Sequence, residues 1–169
     1  FSKPLEVDFS SGYASLKWTP ASYSKKQPNS KMCFVCGLKN AFGLKCRFYE
    51  LENGELMAIF QPSPEHQGYP GRLHGGIAAT ILDETIGRAI NLTEPETWAV
   101  TTHLEVDFKR PVPTNERLTC LAWITSNNRR LFTGEGELIL ATVDGPGDVG
   151  GRHGYLLSSS ADFLHGQPY

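Results

Sequence analysis

No apolar run in this 169-residue sequence approaches the roughly 20 residues that a membrane-spanning helix needs. No block of like charge occurs either. The 16 Lys and Arg are balanced by 18 Asp and Glu, and the basic clusters Lys25-Lys26 and Arg129-Arg130 are only pairs. That balance gives no reason to expect a nucleic-acid partner. The chain opens on Phe1-Ser2-Lys3-Pro4, with no signal-peptide pattern, and the lack of an initiating Met leaves room for a segment upstream. A soluble cytoplasmic protein is the resulting expectation. Gly-x-Ser-x-Gly is also missing, which excludes the serine hydrolases built on a nucleophile elbow.

Cysteine is scarce, with four residues at Cys33, Cys36, Cys46 and Cys120. Cys33-Phe34-Val35-Cys36 has the spacing of a zinc knuckle. A structural zinc needs four ligands, however, and neither Cys46 nor Cys120 forms a second close pair. His66 or His74 could in principle complete a site. Cys46 and Cys120 both fall in strand-like runs, so packing thiols in a reducing compartment are expected and no metal.

What is present suits one domain with a real core: 40% hydrophobic residues in a chain of this length. Residues 1–32 are polar and irregular and read as an extended N-terminal arm or surface wrapping, with room for one short strand or turn of helix; 33–169 read as a single domain. Strand-like runs cover 44–51 and 55–61 around Glu52-Asn53-Gly54, an Asn-Gly hairpin signal. Pro and Gly then make 62–71 a loop, and 75–91 is the one long helical run. Strand alternation returns at 98–109, 116–126, 131–143 and 155–164. Turns fall at Pro111-Val112-Pro113, at Asn127-Asn128, and from Gly145 through Gly151. This order predicts an α+β domain in which five to six curved antiparallel strands wrap a long central helix.

The helix holds the chemistry. Ile77, Ala78, Ala79, Ile81, Leu82, Ile86, Ala89 and Ile90 are not confined to one stripe, which predicts burial nearly all round. Glu84 and Arg88 are spaced for an i,i+4 ion pair. Asp83 has no such partner on its helix, and a carboxylate in a buried setting is costly unless something outside the helix meets it. That makes Asp83 a functional candidate. His74-Gly75-Gly76 stands where the helix begins, with backbone N–H groups lacking intrahelical partners and the helix dipole favouring negative charge. Such a mouth can polarise a carbonyl, and it can equally be tight packing with His74 as a cap. His74 and Asp83 are nine residues apart, about half a turn net in rotation and roughly 13 Å along the axis. One chain cannot easily aim both at one substrate atom, so a site using both is expected between two subunits.

"HQGYPGRLHGGIAATILDE", with "CFVCG" and "NAFGL" upstream, resembles the PaaI-like thioesterases of the hotdog fold, from about Cys33 to Phe163. The resemblance implies hydrolysis of an acyl thioester, most plausibly an acyl-CoA, by a homodimer or homotetramer with sites between subunits. It implies a Gly N–H at the helix start, mapped onto Gly75 with Gly76 adjacent, and an Asp of the partner chain, mapped onto Asp83. Asp83 serves as general base or as nucleophile. A polar loop residue before the helix maps onto Gln67 or His66, and a hydroxyl on the next strand onto Thr101, with Thr102 beside it. His74 and Glu84 complete the candidate set. No metal or organic cofactor is implied. Lys109 and Arg110 could meet CoA phosphates or simply end a strand in solvent.

Two rivals share the fold. Hotdog dehydratases pair a catalytic His with an acid, but no His-x-Asp hydratase signature is present. A non-catalytic acyl-CoA-binding module would explain the helix mouth but gives no reason for Asp83. Phe60, Tyr69, Trp98 and Phe132 are each expected in the core rather than along an acyl tunnel.

Overall fold

A computed structural model of the chain describes residues 5–7, 16–18, 23–140 and 155–166. Within the expected arm, β1 (Leu5–Val7) and β2 (Leu16–Trp18) pair antiparallel as a two-stranded sheet. The rest of the arm before residue 23, residues 141–143 of the strand expected at 131–143, and the turn expected from Gly145 to Gly151 lie outside the described residues.

The main sheet has seven strands, not five to six. They are β3 (Tyr23–Lys26), β4 (Arg47–Leu51), β5 (Leu56–Phe60), β6 (Trp98–Phe108), β7 (Leu118–Asn127), β8 (Leu131–Leu140) and β9 (Tyr155–Gly166), in the order β3-β4-β5-β7-β8-β9-β6 with every pairing antiparallel. All six strands read from the sequence are there. The seventh, β3, comes from the supposed arm and pairs with β4 through Lys25↔Glu50 and Lys26↔Tyr49. Three of its four residues are exposed, so it carries no buried apolar pattern to read. The β4–β5 hairpin turns where expected, with Gly54 at φ +86°, a conformation glycine adopts without strain.

β5 lies inside the sheet and is buried at every residue because both of its faces are covered. Phe60 and Ala58 join the core under the helix, while Met57 and Ile59 pack with Tyr49, Leu51, Leu121 and Ile139 on the reverse face.

The helix, α1 (Gly75–Ala89), continues as one 3₁₀ turn at Ile90–Leu92. Its buried residues are Ala78, Ile81, Leu82, Thr85, Ile86 and Ala89, one stripe at helical spacing. Burial nearly all round is therefore corrected. The sheet covers one side only, and Asp83, Glu84, Gly87 and Arg88 on the other side are half-buried. The stripe sits close because β8 offers no side chains where Ile86 lands: a Cβ on Gly134 or Gly136 would stand 2.6 or 3.0 Å from that isoleucine. Gly87 makes similar room for Phe163, which stacks on Phe132 at 4.9 Å.

Phe60 and Phe132 are core residues as expected, but Tyr69 and Trp98 are 84% and 60% exposed. Tyr69 lies at the tip of the loop before α1, and Trp98 begins β6, the last strand of the sheet.

Candidate active site

The helix mouth is built by the loop that precedes it. Gly71, at φ +75°, turns the chain. Leu73 N–H then donates to the Val112 carbonyl and His74 N–H to the His66 carbonyl. His74 is thereby fixed in extended conformation as the helix cap, and its Nδ1 accepts the Gly76 N–H at 3.0 Å. That capping bond is the structural role open to His74 from the sequence, and it leaves the ring acting on Gly76. Gly75 N–H has no hydrogen-bond partner among the described residues. Gly75 lines a hollow of about 300 Å³ together with Leu73, Ala78, Phe108, Lys109, Arg110 and Val112 among others. A free donor at the positive end of a helix is the group that a developing oxyanion needs.

Asp83 lines a separate cavity of about 700 Å³, whose walls include Cys33, Cys36, Glu84, Arg88, Trp98, Thr101 and Phe163. The partner that its own helix lacks comes from β6: the Thr101 hydroxyl donates to Asp83 Oδ1 at 2.7 Å. Burial pushes the Asp83 carboxyl above the usual carboxylate range; the Thr101 bond pulls it part of the way back, and the negative Glu84 beside it pushes it up again. Glu84 is committed to Arg88, Nε to Oε1 at 2.8 Å, as the i,i+4 spacing predicts. The hollow at Gly75 and the cavity at Asp83 have no lining residue in common.

The remaining candidates divide. Thr102 sits at a register irregularity between Thr101 and His103, and its hydroxyl donates to the Asp162 carbonyl instead of reaching Asp83. His66 is buried, with Nδ1 accepting the Ser63 N–H at 3.1 Å and Nε2 on the Phe42 carbonyl at 2.8 Å. That arrangement fixes one neutral tautomer and uses both nitrogens to hold the loop. Gln67 is exposed, its side-chain oxygen accepting the Gly71 N–H at 3.3 Å. Neither His66 nor His74 approaches the Cys33–Cys36 pair to complete a knuckle; the third donor there is Glu84, with all three ligand atoms within 4.8 Å of one another.

Residues 70–144, from the loop before α1 through the whole of β8, match the family model of the thioesterase superfamily. This stretch is similar to the thioesterase superfamily, and the chain has the hotdog fold seen in that superfamily's solved members. It is 36% identical over 94 residues to the acyl-coenzyme A thioesterase THEM4 of Xenopus laevis, a match covering 52% of this chain and 39% of that protein. The chain thus spans about two fifths of the length of the curated relatives it matches. Among solved structures, the thioesterase superfamily protein RHA08564 aligns at a TM-score of 0.64 and 27% identity, over 78% of this chain and 59% of that one. The E. coli PaaI protein aligns at 0.60 and 14% identity, over 73% and 81%, and shares the fold.

One set of neighbours around the helix is not legible in the sequence. Arg88, assigned to Glu84 alone, also donates to Cys36 Sγ at 3.1 Å and lies 4.3 Å from the centre of the Phe48 ring. The Cys-x-x-Cys spacing was the available signal, but nothing local ties it to a helix residue 52 positions away.

Proposed function

We propose that the protein hydrolyses an acyl-CoA to the free acid and CoA, in sites shared between two subunits. The observation that carries this reading is Asp83: a partly desolvated carboxylate held by a hydroxyl in an open cavity, eight residues beyond a free helix-mouth N–H. The thioester carbonyl oxygen would accept Gly75 N–H of one subunit. Asp83 of the partner subunit, as base or nucleophile, would then drive cleavage of the carbon–sulfur bond, and charge developing on the oxygen would be met by the helix dipole. The separation of the two cavities supports sharing between subunits. So does β6, an 11-residue edge strand paired on one side only among the described residues, with Trp98, Val100 and Phe108 exposed. An edge of that length is normally covered. The proposal extends to a cytoplasmic location, checked by fractionating cells into cytosol and organelles.

Release of free thiol from short, medium, long and aryl acyl-CoAs tests the activity. A folded wild type that turns over none of them would leave the acyl-CoA-binding module as the better reading. Co-expressing Gly75→Val with Asp83→Asn tests the sharing. Each variant alone is dead, but half of randomly formed dimers are mixed and hold one intact site, so on the order of a quarter of wild-type activity should return. No recovery in a mixture shown to contain mixed dimers would put both groups in one subunit's site.

Lys109 and Arg110 border the Gly75 hollow and are exposed. If they meet CoA phosphates, replacing both with Ala should raise KM about five- to tenfold at low salt with little change in kcat. The effect should shrink as ionic strength rises. An unchanged KM at low salt removes them from the site.

A further inference from the structure

The Cys33–Cys36 turn has chemistry that thioester hydrolysis does not use. Gly37 N–H donates to the Cys33 carbonyl at 2.7 Å, and a Cβ on Gly37 would stand 2.4 Å from that oxygen, so only glycine closes the turn this tightly. The turn brings both sulfurs to one side, with Cys36 N–H donating to Cys33 Sγ at 3.4 Å. Both line the cavity that holds Asp83.

The two sulfurs have different surroundings. Cys36 Sγ receives the Arg88 guanidinium at 3.1 Å and lies 3.3 Å from the Ser30 hydroxyl. Burial pushes the Cys36 thiol up, but the hydrogen bonds from Ser30, the Arg88 charge and the Cys33 thiol together bring it below its ordinary value. Burial pushes the Cys33 thiol up; the Cys36 N–H only partly offsets this, and Glu84 adds to the rise. A thiolate, not a thiol, is the nucleophile, so Ser30 and the guanidinium together select Cys36. Cys46 and Cys120 are fully buried, with no cation among the described residues acting on either, and both are pushed up, Cys120 to about 12.

We propose that Cys33 and Cys36 form a peroxide-sensitive dithiol in the wall of the Asp83 cavity, with Cys36 oxidised first and Cys33 resolving it to an intramolecular disulfide. The Cys36 thiolate attacks a peroxide oxygen; the S–O bond forms, the O–O bond breaks, and hydroxide leaves. Cys33 gives its proton to that hydroxide and attacks the Cys36 sulfur, expelling a second hydroxide, which takes a proton from solvent. Two thiols and one hydrogen peroxide thus become one disulfide and two waters. A small oxidant is required because Cys36 is 1% exposed and lines the cavity wall. The sulfurs lie within 4.8 Å of each other, so closure to the about 2.05 Å of a disulfide is a local side-chain movement. The same two sulfurs and Glu84 could offer three ligands to a soft metal. The guanidinium already on Cys36 Sγ and Glu84 Oε1 holds the positive charge that such an ion would bring.

The inference is independent of thioester hydrolysis, and its test reads sulfur chemistry rather than activity. Trypsin cuts after Lys31 and Lys39, leaving both cysteines on one eight-residue peptide and Cys46 and Cys120 on others. After limiting hydrogen peroxide on the folded, full chain, that peptide should lose two hydrogens, reversibly with reductant, while Cys46 and Cys120 stay reduced. In Cys33→Ser, dimedone should trap a sulfenic acid on Cys36. In Cys36→Ser, oxidation of Cys33 should be slower by about tenfold, and Arg88→Gln should slow the wild-type reaction severalfold. First oxidation at Cys33, oxidation no faster than at Cys46, or one equivalent of zinc released from the purified protein to a chromophoric chelator would each overturn the proposal.

Discussion

Asp83→Asn should lower kcat for acyl-CoA hydrolysis by about 10²–10⁴-fold while raising the melting temperature at neutral pH. Both effects have one cause. Burial raises the folded-state pKa of Asp83 above its unfolded value, so the folded protein holds that proton more tightly. Stability from this group is fully present below the unfolded pKa and is lost as pH rises through the folded one. At pH 7 the ionised carboxylate is therefore a net cost to folding, and the amide removes the charge while keeping an acceptor for Thr101. Catalysis runs the other way. In the proposed reaction Asp83 would act ionised, whether as base or as nucleophile, so wild-type kcat should fall on the acid side with an apparent pKa above the usual carboxylate range. Thr101→Val removes a bond that favours the charged form and should move that limb further up in pH. Glu84→Gln is the control: it breaks the Arg88 pair, costs stability, and should leave kcat within about tenfold. Loss of kcat greater with Glu84→Gln than with Asp83→Asn would assign the chemistry to the neighbouring acid.

The parts of the fold that the sequence made legible are those encoded locally. Six strands of the main sheet, the Asn-Gly hairpin and the start of α1 each rest on periodicity or turn chemistry within a dozen residues. β3 was not legible, because its pairing with β4 is long-range and its side chains are mostly exposed. The depth of α1's burial was overread for a related reason. Alanines and glycines pad the face that carries Asp83, and composition alone does not distinguish a small exposed residue from a small buried one.

The candidate site divides in the same way. Asp83 stood out as a carboxylate without a helical partner, and Thr101 was mapped as the nearby hydroxyl through resemblance; the 2.7 Å bond joins the two. His66 looked like a site residue because loop histidines before a helix mouth carry no local mark of their role. Its partners, Ser63 and Phe42, reveal a structural one, and Phe42 is 24 positions away. The link from Cys36 to Arg88 is of the same long-range kind.

Gly134→Val should destabilise the domain by about 3 kcal/mol, the upper range for forcing extra atoms into a packed core. In a chain this size that is a fall in melting temperature of about 10 °C. Phe132, Gly134, Gly136 and Leu138 alternate along β8, large residues flanking a bare patch. Ile86, fully buried, occupies the patch. A Cβ at 134 would meet Ile86 Cγ2 at 2.6 Å and the Trp123 carbonyl oxygen at 2.9 Å. Neither obstacle yields easily: the first is a β-branched side chain on a helix, with little rotamer freedom, and the second is the backbone of the neighbouring strand. Relief requires α1 to lift from β8, and the lift would also move Asp83, three residues before Ile86. Loss of stability should therefore come with a lower kcat even at temperatures where the variant is folded. Gly166→Ala, whose Cβ would meet its neighbours no closer than 3.6 Å, should change stability by less than about 0.5 kcal/mol. A double-mutant cycle separates the two obstacles. Ile86→Ala alone costs about 2–5 kcal/mol through the cavity it leaves, but combined with Gly134→Ala the total should fall short of the sum by about 1 kcal/mol or more. Strict additivity would mean that the strand carbonyl, not the helix, is what glycine accommodates at this position.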